Sequence, residues 1–138
     1  MFKAHTIEGI NQWCQKTASA QLGIEFVASG EQWLEARMPV DSRTHQPMGL
    51  LHGGASVLLA ETLGSVAGNL CVPEGKACVG LEINANHLSS VKEGTVLGRV
   101  EAVHVGRSTQ VWDIKIRRES DHKLVCVSRL TLAVIDVS

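Results

Sequence analysis

Hydrophobic positions along the chain switch between a helical and an alternating period. Residues 6 to 21 place Ile7, Ile10, Trp13, Cys14 and Ala18 at helical spacing. This predicts a short amphipathic helix with one face on the rest of the domain, ended by Gly23. "IEFVA" and "WLEARMPV" read as two short strands, a hairpin turning at Ser29-Gly30 whose second strand stops at Pro39. "DSRTHQPMG" is rich in turn formers and predicts a loop. The apolar run that follows has helical spacing and is stopped by Pro73 and Gly75. Four alternating segments close the chain: "VGLEINANHL", "GTVLGRVEAVHVG", "STQVWDIKIRRE" and "LVCVSRLTLAVID". Short turns at Lys92-Gly94, Gly106-Arg107 and Ser120-His122 separate them, which predicts an antiparallel meander. In the third, Trp112, Ile114 and Ile116 point one way and Asp113, Lys115 and Arg117 the other, so one sheet face is dry and one wet.

These elements predict an α+β architecture, one long apolar helix laid on one face of a curved antiparallel sheet. Small residues mark the helix: Gly54, Ala55, Ala60, Gly64, Ala67 and Gly68. They lower intrinsic helix stability but admit a closely approaching neighbour, either the sheet or a second subunit. The length, 138 residues, fits one domain spanning residues 1–138.

Composition narrows the function classes. Hydrophobic residues make up 44% and charged residues 20%, with a net charge of -1 and no Lys/Arg block, so no nucleic-acid or anionic-membrane partner is expected. "MFKAHTIEGI" has no apolar leader pattern, which points to the cytoplasm. Glu61, Ser65, Asn69 and several glycines argue against a membrane span within the apolar run. Cys14, Cys71, Cys78 and Cys126 have no CxxC or zinc-type spacing and are read as reduced, mostly core-filling thiols.

From Thr44 to Pro73, histidines aside, one formal charge occurs, the carboxylate of Glu61. On a helical repeat Val57, Leu58, Glu61, Ser65 and Gly68 share a face, so the carboxylate projects from the middle of a helix with little polar surface. A lone ionised carboxylate in a dry interior is heavily penalised. It must pair with Arg or Lys from the sheet or an adjoining subunit, be protonated, or face a cavity as a general base or nucleophile.

The sequence before the helix favours the last of these. "GLLHGG" puts two glycines at the helix start, where the first amides lack intrahelical partners and can bind an oxyanion. Gln46 and His52 are close enough in sequence to add hydrogen bonds. Singly, His52 also reads as a capping histidine and Gln46 as a loop-stabilising amide. Together, a carboxylate and a carbonyl polariser are what acyl transfer to water requires.

"MPVDSRTHQPMGLLHGGASVLLAETLGSVAG", "VGLEINANHL" and "SRLTLAVI" resemble the PaaI-like hotdog-fold acyl-CoA thioesterases. Within that family the likeness is to the 1,4-dihydroxy-2-naphthoyl-CoA thioesterases of menaquinone synthesis and the proofreading thioesterases of enterobactin synthesis. The resemblance covers nearly the whole chain and is weakest over the first twenty residues. It implies a hotdog fold, a long central helix wrapped by the curved antiparallel sheet, with subunits paired edge to edge and two dimers forming a homotetramer. It places the active site at the homodimer interface, the carboxylate from one subunit and the helix start from the other. Glu61 is then nucleophile or general base, and the Gly53 amide polarises the thioester carbonyl with Gln46 and His52. Ser65 orients the carboxylate or the attacking water.

The resemblance further implies CoA contacts along Gly80, the segment His87, Leu88, Ser89 and Ser90, and the turn His104, Val105, Gly106, Arg107, Ser108 and Thr109. Arg107 and His104 suit phosphate chemically, and the Gly106 turn is expected to expose amides. No metal or organic cofactor is implied, CoA being part of the acyl-CoA substrate. Met48 departs from the phenylalanine of many relatives beside the acyl pocket, which makes that wall more adaptable. A basic residue found after the histidine in some relatives is missing, leaving Lys92 as a substitute. Rival readings are a thioesterase acting on a carrier protein, a hotdog enoyl-thioester hydratase, and a non-catalytic acyl-thioester sensor.

Overall fold

The structure, a computed structural model, describes residues 1–137; Ser138, the last residue of the expected domain, lies outside the described residues. The N-terminal helical pattern divides into α1 (Ile7–Trp13) and α2 (Ala18–Gln21). It breaks because Lys16 takes a left-handed backbone, φ 59°, and the Thr17 hydroxyl donates back to the Cys14 carbonyl at 2.5 Å. Thr6 caps α1, accepting from the Gly9 amide at 2.9 Å. Of the expected inner face only Ile10 is buried; Trp13 is 62% exposed.

The first hairpin joins β1 (Glu25–Gly30) to β2 (Trp33–Val40). Its turn falls at Glu31-Gln32, where Gln32 has φ 59°, two residues beyond the Ser29-Gly30 expected. Gly30 stays in the ladder opposite Trp33, and a Cβ there would overlap the indole. The glycine therefore serves close approach. Pro39 also remains in β2, opposite Thr95, and the strand ends at Val40.

The long helix, α3 (Gly53–Leu70), begins at an N-cap His52 and ends at Cys71. The remaining strands are β3 (Lys76–His87), β4 (Gly94–Val105), β5 (Thr109–Arg118) and β6 (Leu124–Asp136). They join the hairpin in a sheet of order β1-β2-β4-β5-β6-β3, antiparallel throughout. The meander holds for β4, β5 and β6. β3 departs from it, pairing with β6 and leaving its other side an edge.

Residues 88–93 make that crossover possible. Three strand spacings, ~14 Å, separate β3 from β4. Six extended residues reach ~20 Å. The Leu88 amide donates to the Val125 carbonyl at 2.8 Å and the Leu51 amide to the Val91 carbonyl at 2.7 Å, so the connection passes the start of α3.

Helix α3 touches β2, β3, β4, β5 and β6. Five strands span ~20 Å and a helix with side chains only ~10–12 Å, so the sheet must curl around it. Leu59, Ala60, Leu63 and Ala67 meet Trp112, Ile114, Ile116, Leu130 and Leu132 in the core, all fully buried. The glycines admit the sheet: a Cβ at Gly64 would overlap Leu130 Cδ2, and one at Gly68 would overlap Leu132 Cδ1. Buried Gln110 ties sheet to helix, its Nε2 donating to the Gly68 carbonyl at 3.4 Å while its Oε1 accepts from Trp112 Nε1 at 2.9 Å. Cys78 and Cys126 are buried and Cys14 and Cys71 half-buried, all four as free thiols.

Candidate active site

Every fourth residue along one side of α3 stays open. Val57, Leu58, Glu61 and Ser65, with Val66, line a groove of about 690 Å³. The shared face expected for these residues is present except at Gly68, where Leu132, Gln110 and Cys78 close over the stripe. The groove's other wall comes from α1, α2 and their junction, through Trp13, Cys14, Thr17, Ala18 and Ser19. The Ser19 hydroxyl lies 2.7 Å from that of Thr62, pinning this wall beside Glu61. Burial pushes the Cys14 thiol up, away from thiolate character.

Among the described residues, the Glu61 carboxylate has no ion-pair partner. The sheet thus supplies no Arg or Lys within the chain. The carboxylate instead reaches Gly80, where a Cβ would stand 2.7 Å from Glu61 Oε2. Gly80 leaves that space open. Ser65 bonds through its carbonyl, which accepts from Asn69 Nδ2 at 2.8 Å.

Gly54 at the helix start also lines the Glu61 groove, whereas Gly53 faces a different cavity, about 380 Å³, lined by Gln46, Gly53, Ser56 and the segment His87, Leu88, Ser89 and Ser90. The polar groups there are already partly committed. His52 Nδ1 accepts from the Gly54 amide at 2.8 Å, and the His52 carbonyl accepts from the Ala55 and Ser56 amides at 3.0 and 3.2 Å. His52 is therefore the cap of α3. The Gln46 side-chain carbonyl accepts from the Met48 amide, so this amide also stabilises its loop. Of the first four helix amides, Gly53's alone has no partner among the described residues. It lies beside the His87 ring, where a Cβ at Gly53 would stand 3.1 Å from Nε2.

β3 spans both places, with Gly80 over Glu61 and His87 over Gly53. The segments expected to contact CoA accordingly divide. His87 to Ser90 belong to the helix-start cavity, whereas the His104 to Thr109 turn lies at the sheet end near Gly80. Ala133 of β6 pairs with Val79 on one side and Thr109 on the other. Within the turn, Val105 pairs with Gln110, and the Val134 amide donates to the Ser108 carbonyl at 2.9 Å. The Gly106 amide is not free as expected: it donates to the Thr109 carbonyl at 2.9 Å, closing the turn. His104 folds over Gly106, and Arg107 is exposed with no ion pair among the described residues. Met48, 77% exposed, walls neither cavity, and the Lys92 carbonyl accepts from His45 Nε2 at 2.9 Å.

A carboxylate without a partner and an amide without an acceptor suit attack on a carbonyl and polarisation of it. They stand eight residues apart on the helix, ~12 Å along its axis and ~80° around it. One reacting carbonyl needs both within ~3–3.5 Å. Glu61 and Gly53 of the same chain cannot serve one carbonyl. Sequence reasoning missed Trp13 as a groove residue; the only signal was its helical spacing, which pointed inward.

The Thioesterase superfamily matches residues 48–125, more than half of the chain. The chain is 52% identical to the 1,4-dihydroxy-2-naphthoyl-CoA hydrolase of Escherichia coli, over 94% of its length and 95% of that protein. It is 48% identical to the proofreading thioesterase EntH of Cronobacter turicensis, over 98% of each. A crystal structure of a Haemophilus influenzae thioesterase superposes with a TM-score of 0.94 at 58% identity, covering 97% of this chain and 93% of that one. A protein with this helix, this sheet and these relatives is a hotdog-fold thioester hydrolase. The chain belongs to the thioesterase superfamily.

Proposed function

We propose that the protein is an acyl-CoA thioesterase that cleaves an aromatic or medium-chain acyl-CoA to the free acid and CoA. The observation that carries this reading is the unpaired Glu61 carboxylate in an apolar groove. Glu61 is half-buried, and withdrawing such a group even partly from water without a partner has a cost that a catalytic base or nucleophile explains. Neither a metal nor an organic cofactor takes part.

The complete site forms between two copies of the chain. Glu61, Ser65 and Gly80 come from one, and Gly53, Gln46 and His87 from the other. The free edge of β3 supports this arrangement: Val79 and Leu81 are 45% and 60% exposed, and Leu81 is the extra residue of a bulge between Gly80 and Glu82. Dimers pair through this edge and two dimers form a tetramer in the cytoplasm. The Gly53 amide polarises the thioester carbonyl. His52 fixes the helix start through Nδ1, which leaves Nε2 for the hydrogen bond that helps polarise the carbonyl.

Glu61 works by one of two balanced routes. In the first, its carboxylate attacks the carbonyl, CoA leaves as thiolate and takes up a proton, and water opens the mixed anhydride. In the second, Glu61 takes a proton from water, the resulting hydroxide attacks, and the proton passes to the leaving thiolate. If water opens the anhydride at the Glu61 carbonyl, single turnover in ¹⁸O water separates them, because that course leaves the first acid product unlabelled and the Glu61 carboxylate labelled.

The naphthoyl-CoA relative supports an aryl acyl group, and with it a place in menaquinone biosynthesis. The proofreading relative favours a second reading, a thioester held on a carrier protein. Arg107 and His104, at the turn between β4 and β5, are the CoA-phosphate contacts in the first reading. Thiol release from aryl and aliphatic acyl-CoAs, with wild type and Glu61→Ala side by side, is the test. Release by wild type alone is expected; equal release by a folded Glu61→Ala protein would refute the role of Glu61.

A further inference from the structure

Trp13 is a large apolar side chain left 62% exposed on a helix that is otherwise firmly fixed. Asn11 holds α1 to β1 in both directions: its Nδ2 donates to the Phe26 carbonyl at 3.0 Å and its Oδ1 accepts from the Phe26 amide at 2.8 Å. Ser19 holds α2 to Thr62, the residue after Glu61. The indole between these two anchors is therefore positioned, and it is positioned over the groove that contains the carboxylate. An isolated exposed indole needs no explanation, but one forming the wall of a reactive groove does.

The indole also borders a second cavity. On its other side Ala4, His5, Gly9, Ile10 and Leu70 surround about 600 Å³. Trp13 thus stands between that space and the Glu61 groove, lining both. The groove itself, about 690 Å³, falls within the ~300–1,000 Å³ that encloses a ligand of moderate size. Beside Glu61 it presents the apolar side chains of Val57, Leu58, Val66 and Trp13, so the part of a substrate these accept is the acyl group. Trp13 also lies outside residues 48–125, in a part of the chain that the superfamily match does not include.

We propose that Trp13 is the specificity-determining residue of the acyl groove. Its indole is both the flat surface against which an aromatic acyl group packs and the partition that limits how far an aliphatic chain extends. The inference rests on Glu61 being the reactive group of this groove. Aromatic packing favours offset or edge contact, and its loss is felt in substrate binding more than in the chemical step. Removing the partition joins the groove to the cavity beside Leu70.

The test compares wild type, Trp13→Phe and Trp13→Ala on benzoyl-CoA and on straight-chain acyl-CoAs of two to sixteen carbons. For Trp13→Ala, kcat/KM toward benzoyl-CoA is expected to fall ~10-fold, chiefly through KM. Its loss toward acetyl-CoA should be smaller than that toward benzoyl-CoA, and its preference should move toward longer chains. Trp13→Phe should retain the aryl preference. An unchanged chain-length profile in Trp13→Ala overturns the inference, as does a loss equal for every substrate or a loss accompanied only by a smaller species in sedimentation. Loss of all Glu61-dependent release in the wild type sinks the reading of Glu61 instead, so the two failures are distinct.

Discussion

The start and the middle of α3 solve opposite problems. At the start, polar groups largely satisfy one another: His52 caps Gly54, Gln46 turns back to Met48, and of the first four helix amides Gly53's alone has no partner among the described residues. In the middle, the Glu61 carboxylate has no ion-pair partner among the described residues. One region has a donor without an acceptor and the other a base without a donor, and they open into separate cavities. The difference teaches that a single chain carries two incomplete halves. In the proposed dimer, what each lacks a second copy supplies.

Glu61→Ala breaks the comparison most severely. Thiol release should fall by ~10³-fold or more. Thermal unfolding should be little changed, because the carboxylate has no intrachain partner to lose. Gly80→Ala sharpens it. The new methyl would stand 2.7 Å from Glu61 Oε2, and the flexible carboxylate can swing aside at little cost in stability. The same movement should lower kcat ~10- to 100-fold, since a shift of about an ångström misplaces the attacking atom.

Gly68→Ala should do the reverse. Its methyl would meet Leu132 Cδ1 and stand 2.6 Å from Gln110 Oε1. Overpacking costs about 1–3 kcal/mol, against a gain of about 1 kcal/mol in helix propensity. Denaturant titration should therefore show net destabilisation, with kcat of the folded protein near wild type.

The smallest effect is expected from acid. The Asp41 carboxyl is held at about 2 by hydrogen bonds from Arg43, and that of Asp121 at about 2 by hydrogen bonds from Arg118 and the Lys123 amide. Both folded values lie below the unfolded one. Their contribution is present above pH ~4 and is lost as pH falls toward 2. Both pairs are exposed, so Asp121→Asn should alter the pH dependence of unfolding only slightly, and only in that window.

Much of the frame was legible because period and composition act locally. The alternation in β5 and the long helical run each admit one reading, and the carboxylate in that run stood out by charge alone. Strand order was not legible. β3 reaches its partner β6 by a crossover whose anchors, Leu88 to Val125 and Leu51 to Val91, are tertiary. The break after Trp13 was hidden as well, because a left-handed Lys16 carries no sequence signature of the kind glycine does. Glu61 and Gly53 could be named from their residue types, but the separate cavities they face depend on how the sheet closes.

The two-halves account is tested most directly by mixing inactive partners. Glu61→Ala and Gly53→Val, the latter placing a side chain against the His87 ring, would be unfolded together, refolded and assayed for thiol release. Random pairing puts half of the chains into mixed dimers, each with one intact site, so about a quarter of wild-type activity should return. Activity no greater than that of the separate variants would contradict a site built from two chains.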